Sequence, residues 1–395
     1  FVKIILRLFD MNKTDFSFYF LKFFLAIFFI LFINKNFAQP DITRFYDSAH
    51  HWYDIHDEDR AIDPLPNQQK YRSTEFEYMA DNILLFQKDN GGWTKNYDMQ
   101  AALTSEQKEK IITDKSNLNT TFDNGATHSQ LTYLAEVYTI LKNEKYKTAF
   151  LKGLDFVFSS QYGNGGWPQF YPDTSGYRKY ITFNDDAMNG VMELLFKIVY
   201  NNSDYTFVPE DYRGKAKVSF EKGIDCILNC QIVEDGKTTV WCQQHDNITL
   251  KPQNARTFEP AAICNMESAN IVLFLMKIPN PSERIKKSIN NAIKWFEESA
   301  IHGLRVQVVQ APKTEFIYHT SSYDRIAIED KNAPRIWARF YELKTHIPIF
   351  CNRDGIIVYS MEEVERERRT GYAWYHYAPE EVLLQYPKWQ KKWEK

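Results

Sequence analysis

The chain has 395 residues, of which 44% are apolar and 25% charged, with a formal net charge of −3. That is enough chain for one large core or two ordinary domains, and the near-neutral balance excludes the broad basic footprint of a nucleic-acid binder. Its five cysteines are too few and too odd in number for a disulfide framework, and no Cys/His spacing suggests zinc.

In chain order, the first feature is a processing signal. From Met11 the sequence runs Asn12, Lys13, a mainly apolar stretch from Phe20 to Ile33 interrupted by Lys22, then Asn36-Phe37-Ala38 before Gln39. A basic start, a short apolar core and a small residue ahead of polar sequence read as a secretory signal. Residues 1–38 are therefore set apart from the fold, and a secreted or periplasmic protein with no lasting membrane partner is expected. A membrane anchor is the rival reading, against which the stretch is short for a span. No Pro/Ser/Gly-rich linker follows residue 60, so residues 39–395 are read as a single domain.

A repeat comes next. Trp93, Trp167 and Trp241 lie 74 residues apart both times, and the first two close the pattern Gln-x-x-Asn-Gly-Gly-Trp, at Gln87 and Gln161. After each tryptophan loop comes one phrase: Thr121-Phe122-Asp123-Asn124-Gly125-Ala126-Thr127, Thr182-Phe183-Asn184-Asp185-Asp186-Ala187-Met188, and Thr257-Phe258-Glu259-Pro260-Ala261-Ala262-Ile263. The third loop has lost its glycines and reads as the weakest unit. A fixed period marks stacked units, each too small to bury its own apolar face.

Periodicity fills the units with helices. Leu131, Leu134, Ala135, Tyr138 and Leu141 share one face, as do Phe150, Leu151, Leu154, Val157 and Phe158, and then Val191, Leu194, Leu195, Ile198 and Val199. Each unit is thus an antiparallel helix pair. The phrase reads as a helix start, with Pro260 suited to the first helical position and Asp123, Asn184 and Glu259 at the caps. Capping is the plain explanation of these acidic groups. A cap needs one oxygen, however, and Asp185-Asp186 beside Asp123-Asn124 supply more hard oxygens than capping uses.

Arg256, Arg305, Arg325, Arg335 and Arg339 make a set of guanidiniums suited to bidentate capture of carboxylates, although any one of them alone is an ordinary ion-pair partner sooner than a ligand contact. Cys226 and Cys230 share a helical face and read as core. Aromatics make up 16% of the chain, and Trp93 and Trp167 are assigned to packing between helix pairs ahead of sugar stacking. The stretches after Asn201 and between Gln310 and Tyr323 show no readable pattern.

Several of these segments in order resemble the family 10 pectate lyases: the first two phrases, Asn164-Gly165-Gly166-Trp167-Pro168-Gln169, Ala255-Arg256-Thr257-Phe258-Glu259-Pro260, Pro334-Arg335-Ile336-Trp337-Ala338-Arg339-Phe340-Tyr341, and Arg369-Thr370-Gly371-Tyr372-Ala373-Trp374-Tyr375. The likeness runs from about residue 45 to the C-terminus. It implies a mainly α fold, an α/α toroid of three helical hairpins, (α/α)3, with short irregular and β additions. It also implies a monomer that cleaves polygalacturonate by β-elimination with calcium. By the same resemblance Asp123, Asn124 and Asp185 form the calcium and substrate-carboxylate site, and Arg256 is the base. Arg325 and Arg339 bind substrate, with Asp186 and Arg335 as neighbouring candidates.

The chemistry stands beside the likeness. Elimination needs a base to take the C5 proton next to a uronate carboxylate, and neutralising that carboxylate acidifies the proton. Calcium takes six to eight oxygens at flexible geometry, so two carboxylates and an amide supply part of a shell that substrate and water complete. A free guanidine has a pKa of about 12.5–13.8, and burial near other cations is expected to disfavour its charge. Two rivals are a glycoside hydrolase using Asp123 with Asp185 or Asp186 as acid and base, and a non-catalytic binder of acidic glycans.

Overall fold

Apolar stripes at helical spacing become eleven helices in the computed structural model, which describes residues 39–55, 60–200 and 203–394. The signal expected at 1–38 lies outside the described residues, and Pro40 to Lys395 form one compact unit. The helices are α1 (Tyr46–Asp54), α2 (Phe76–Phe86), α3 (Ser105–Thr113), α4 (His128–Leu141), α5 (Glu144–Ser159), α6 (Ala187–Val199), α7 (Glu210–Cys230), α8 (Asn265–Lys277), α9 (Glu283–Glu298), α10 (Arg366–Gly371) and α11 (Ala378–Trp393).

Three pairs, α4 with α5, α6 with α7 and α8 with α9, are the hairpins of an α/α toroid. Helices α4, α6 and α8 touch in succession and form an inner row, while α5, α7 and α9 form an outer one. Burial separates the two rows. Every residue from Ser129 to Ala135 of α4 is buried, whereas α9 buries one stripe, Ile285, Ile289, Ala292, Ile293 and Phe296. A helix covered all round belongs inside, and one with a single apolar stripe lies on the surface. Helix α2 packs on α4, and α11 on α8 and α9.

The tryptophan loops are the clamps between units. Trp93, Trp167 and Trp241 are at most 1% exposed. Their indole N–H groups donate to carbonyls of the preceding helix, at Ile83 (2.8 Å), Val157 (2.9 Å) and Ile227 (2.7 Å). The glutamine that opens each loop reaches the other way. The Gln87 amide donates to Ala149 O (2.9 Å) on α5, Gln161 to Ser219 O (2.9 Å) on α7, and Gln231 to Ser288 O (3.0 Å) on α9. Gln231 is the third copy, so the unit that looked weakest keeps the same fastening. Gly165 is required twice over: its φ is 94°, and a Cβ there would lie 2.0 Å from the Lys222 carbonyl oxygen.

The phrases do not start the helices as expected. Helices α4, α6 and α8 begin at His128, Ala187 and Asn265, beyond Asp123, Asn184 and Glu259, and no side chain caps any of the three. Pro260 accordingly stands outside the helix. The reason is left-handed backbone in each of the first two phrases, which Asp186 (φ 55°, ψ 21°) extends in the second. Asn124 (φ 49°, ψ 39°) and Asp185 (φ 50°, ψ 36°) break the turn, a conformation costing about 1–2 kcal/mol that Asn and Asp tolerate best. The acidic groups are thereby freed from capping.

Short strands tie neighbouring units together. Ile181–Thr182 pairs with Gln244–His245, and Thr121 bridges to Phe170, so each of the first two phrases pairs with the tryptophan loop of the next unit. The span from Gln310 to Tyr323, unreadable in sequence, belongs to a long antiparallel hairpin, Leu304–Glu315 with Thr320–Glu329. Apolar type does not follow the covered face there, since Ile317 and Tyr318 are exposed, so the alternation that marks a strand is not written in the sequence. A second apolar cluster around Phe258, Phe340, Phe350 and Trp374 anchors the C-terminal segment. All five cysteines are free thiols, with Cys226 and Cys230 buried in α7.

Candidate functional site

The first two phrases face the C-terminal segment across a cavity of about 650 Å³. Asp123, Asn124 and Asp185 line it on one side, and Arg256, Arg339, Arg353 and Arg368 line it as well. Tyr177 and Arg178, the hairpin tip Tyr318-His319, and Asp47 and His51 of α1 share the lining.

Asp123 is fixed from two sides. Its Oδ2 accepts from the Lys95 ammonium at 2.7 Å and its Oδ1 from the Gln169 amide at 2.8 Å. Burial alone would raise this carboxyl, but the Lys95 charge and the hydrogen bonds of Lys95 and Gln169 outweigh it and hold the carboxyl below the usual range. Lys95 and Gln169 both stand two residues after a repeat tryptophan, and the third such residue, Gln243, donates to Asn184 Oδ1 at 2.8 Å. The repeat thus supplies both the clasped residue and its clasp. Asn124 donates to Asn96 Oδ1 at 2.9 Å, and Asp185 Oδ2 accepts from Asn184 at 2.5 Å.

Asp185 is open to the cavity by surface area, yet the encircling chain strips much of its water and the Asp123 charge adds to the effect, so its carboxyl is pushed up to about 7. Burial is the larger cause, and the second carboxylate adds to it against the opposing charges of Arg256 and Arg339. Among the described residues no three His, Cys, Asp or Glu side chains gather round one point. Two carboxylates and the Asn124 amide oxygen nevertheless fit a hard cation as a partial shell, with Asp185 the less encumbered of the two carboxylates.

The guanidiniums differ in their freedom. Arg339 is buried, donates to Glu267 Oε1 (2.5 Å) and Asn184 Oδ1 (3.0 Å), and lies 4.2 Å from the Tyr372 ring centroid. It is a fixed positive charge. Arg256 has a side chain 45% exposed and is gripped by Glu259, Nε to Oε2 at 3.0 Å and Nη2 to Oε1 at 2.6 Å. Partial burial pushes its guanidinium down, but Glu259 outweighs burial and the net shift is upward. The expectation that its charge would be disfavoured is therefore reversed, because a buried glutamate three residues on supplies the counter-charge.

Sequence comparison matches residues 87–383, about three quarters of the chain, to the family described as pectic acid lyase. The chain belongs to the pectic acid lyase family, and it is a pectate lyase. Among solved structures it is similar to a family 10 polysaccharide lyase from Cellvibrio cellulosa, an aspartate-to-alanine mutant in complex with trigalacturonic acid. That match has 28% identity and a TM-score of 0.68, over 80% of this chain and 96% of the other. The same enzyme without the mutation matches at 28% identity and 0.67, over 80% and 95%. No curated protein matches.

Not every candidate of this pectate lyase lines the cavity. Arg335 is bound to Glu380, Nε to Oε2 at 2.6 Å, outside it. Asp186 is exposed and accepts from Asn270 at 3.0 Å. Arg325, on the long hairpin, donates to the backbone carbonyl of Tyr372 at 3.1 Å, and so braces a segment that lines the cavity. Arg305 pairs with Asp330 at 2.9 Å. Conversely, Lys95, Arg353 and Arg368 line the cavity without having drawn notice in sequence. Position two after each tryptophan could have signalled Lys95, whereas Arg353 and Arg368 stand in no repeat.

Proposed function

We propose that this pectate lyase cleaves polygalacturonate by β-elimination, with Arg256 as the base. The base takes the C5 proton, the C5–H electron pair becomes the C4–C5 double bond, and the C4–O bond breaks with its pair on the departing oxygen, which solvent protonates. The observation that carries this reading is the cavity in which Asp123, Asn124 and Asp185 share a lining with Arg256 and Arg339. The capture of trigalacturonic acid by a similar enzyme supports it.

Calcium held by Asp123, Asn124 and Asp185 would neutralise the uronate carboxylate and so acidify the C5 proton. The remaining work falls to the chain. Lys95 and Gln169 keep Asp123 ionised and oriented, and Arg339, locked by Glu267 and Asn184, presents a fixed charge to a substrate carboxylate. Arg256 acts in its neutral form, so its pair with Glu259 has to loosen as substrate enters. The chain is also inferred to be exported, on the composition of residues 11–38, which an N-terminus at Gln39 in the exported protein would check.

The test is polygalacturonate with and without EDTA, followed by the ultraviolet absorbance of the C4–C5 double bond. Absorbance that rises with calcium and stops with chelator is expected. Chain shortening without absorbance would turn the reading to hydrolysis, and binding without shortening to a glycan-binding protein.

A further inference from the structure

Among the described residues, one cation in the cavity lining has no carboxylate of its own. Arg368, on α10, is 4% exposed and lines the cavity. Its nearest carboxylate, Glu367, stands 3.9 Å from Nη1 and gives both its oxygens, at 2.7 Å each, to Arg353. The Arg368 Nε is buried without a hydrogen-bond partner. The Phe258 ring centroid lies 4.0 Å and the Tyr372 centroid 4.7 Å from its Cζ, both within cation–π range. Burial and the Arg353 charge push this guanidinium down to about 10.

A buried charge left without its partner weakens a fold, and replacing it with an apolar side chain of similar volume is often stabilising. Two aromatic rings hold the guanidinium in place without satisfying its donors. What such a fork accepts best is a planar carboxylate, which it binds bidentately and which a methyl ester, lacking charge, imitates poorly. Arg256 is among the charges that Arg368 feels, so the two lie on one electrostatic surface.

We propose that Arg368, backed by Arg353, forms a second uronate-carboxylate subsite, holding the carboxylate of a galacturonate next to the reacting one and thereby selecting unesterified stretches of polymer. This rests on the polygalacturonate reading above. Arg368 binds and positions; it takes no proton.

The experiment compares the wild-type chain with Arg368→Met and Arg368→Lys. It measures trigalacturonic acid binding by calorimetry, kcat and KM on polygalacturonate and on highly methyl-esterified pectin, and Tm. Arg368→Met is expected to weaken trigalacturonic acid binding and raise KM for polygalacturonate by roughly tenfold or more, with a much smaller change in kcat. It should also narrow the preference for unesterified polymer and leave Tm at or above the wild-type value, while lysine restores part of the affinity. Wild-type affinity and preference in Arg368→Met would overturn the proposal, as would a lowered Tm with binding intact. If that variant does not fold, Arg368→Lys decides, since loss of the fork alone should weaken binding, and unchanged binding overturns the subsite. Should the wild-type chain bind trigalacturonic acid without cleaving polygalacturonate, the elimination reading falls while the binding series still judges the subsite. Failure to bind and to cleave removes both.

Discussion

Arg256 and Asp185 show how neighbours a few ångströms away decide what a side chain can do. Because Glu259 holds Arg256 charged, the lysine variant separates charge from proton transfer. Arg256→Lys should lower kcat roughly 10²–10⁴-fold while leaving trigalacturonic acid affinity within a few-fold, as steady-state kinetics and calorimetry would show. Near-normal turnover would instead make Arg256 a clamp. Asp185 sets a pH dependence. Its folded pKa of about 7 lies above the ordinary aspartate value of 3.8. Between those values the folded chain keeps a proton that the unfolded chain has lost, so this group's contribution to stability falls as pH rises through the window. Cation binding needs the ionised form and so runs the opposite way. Calcium affinity measured by calorimetry should weaken by roughly tenfold or more from about pH 8 to about pH 5.5, and an unchanged affinity would remove Asp185 from the site.

Elements are fastened to one another by a glutamine and a tryptophan in all three units, joined by a Gly-Gly turn in the first two. Gly165→Ala forces a side chain into a left-handed residue and against the Lys222 carbonyl, 2.0 Å from the new Cβ. A loss of about 3 kcal/mol is expected in denaturant unfolding. Gly163→Ala is the control, since nothing lies within 4 Å of a Cβ there, and its stability should stay near wild type. Gln231→Ala strands the carbonyls of Thr239 and Ser288, which its amide reaches at 2.8 Å and 3.0 Å. It should cost about 2 kcal/mol by the same measurement, a loss comparable to that of Gln161→Ala if the third unit is fastened as firmly as the second.

For the molecule as a whole, the phrase of one unit pairs with the tryptophan loop of the next, so the acidic lining exists only when the units are stacked. A ligand joining Asp123 to Asp185 bridges two units and stabilises the assembled state alone. Calcium at a hundred times its Kd should add about 2.7 kcal/mol to unfolding, seen as a rise in Tm that Asp185→Ala abolishes. A rise of equal size in that variant would place the ion elsewhere.

Much was legible in the chain itself. The 74-residue spacing of Trp93, Trp167 and Trp241, with apolar stripes between, determined stacked helix pairs, because periodic burial is written in periodic residue types. Asp123, Asn124 and Asp185 stood out as oxygens in excess of capping. What sequence could not determine was who neutralises whom. Glu259 under Arg256, Lys95 on Asp123, Arg335 drawn off by Glu380 and Arg368 left without a carboxylate are pairings set by distances between separately folded segments. Coulomb energy falls with separation and with exposure to water, and both are properties of the tertiary structure alone.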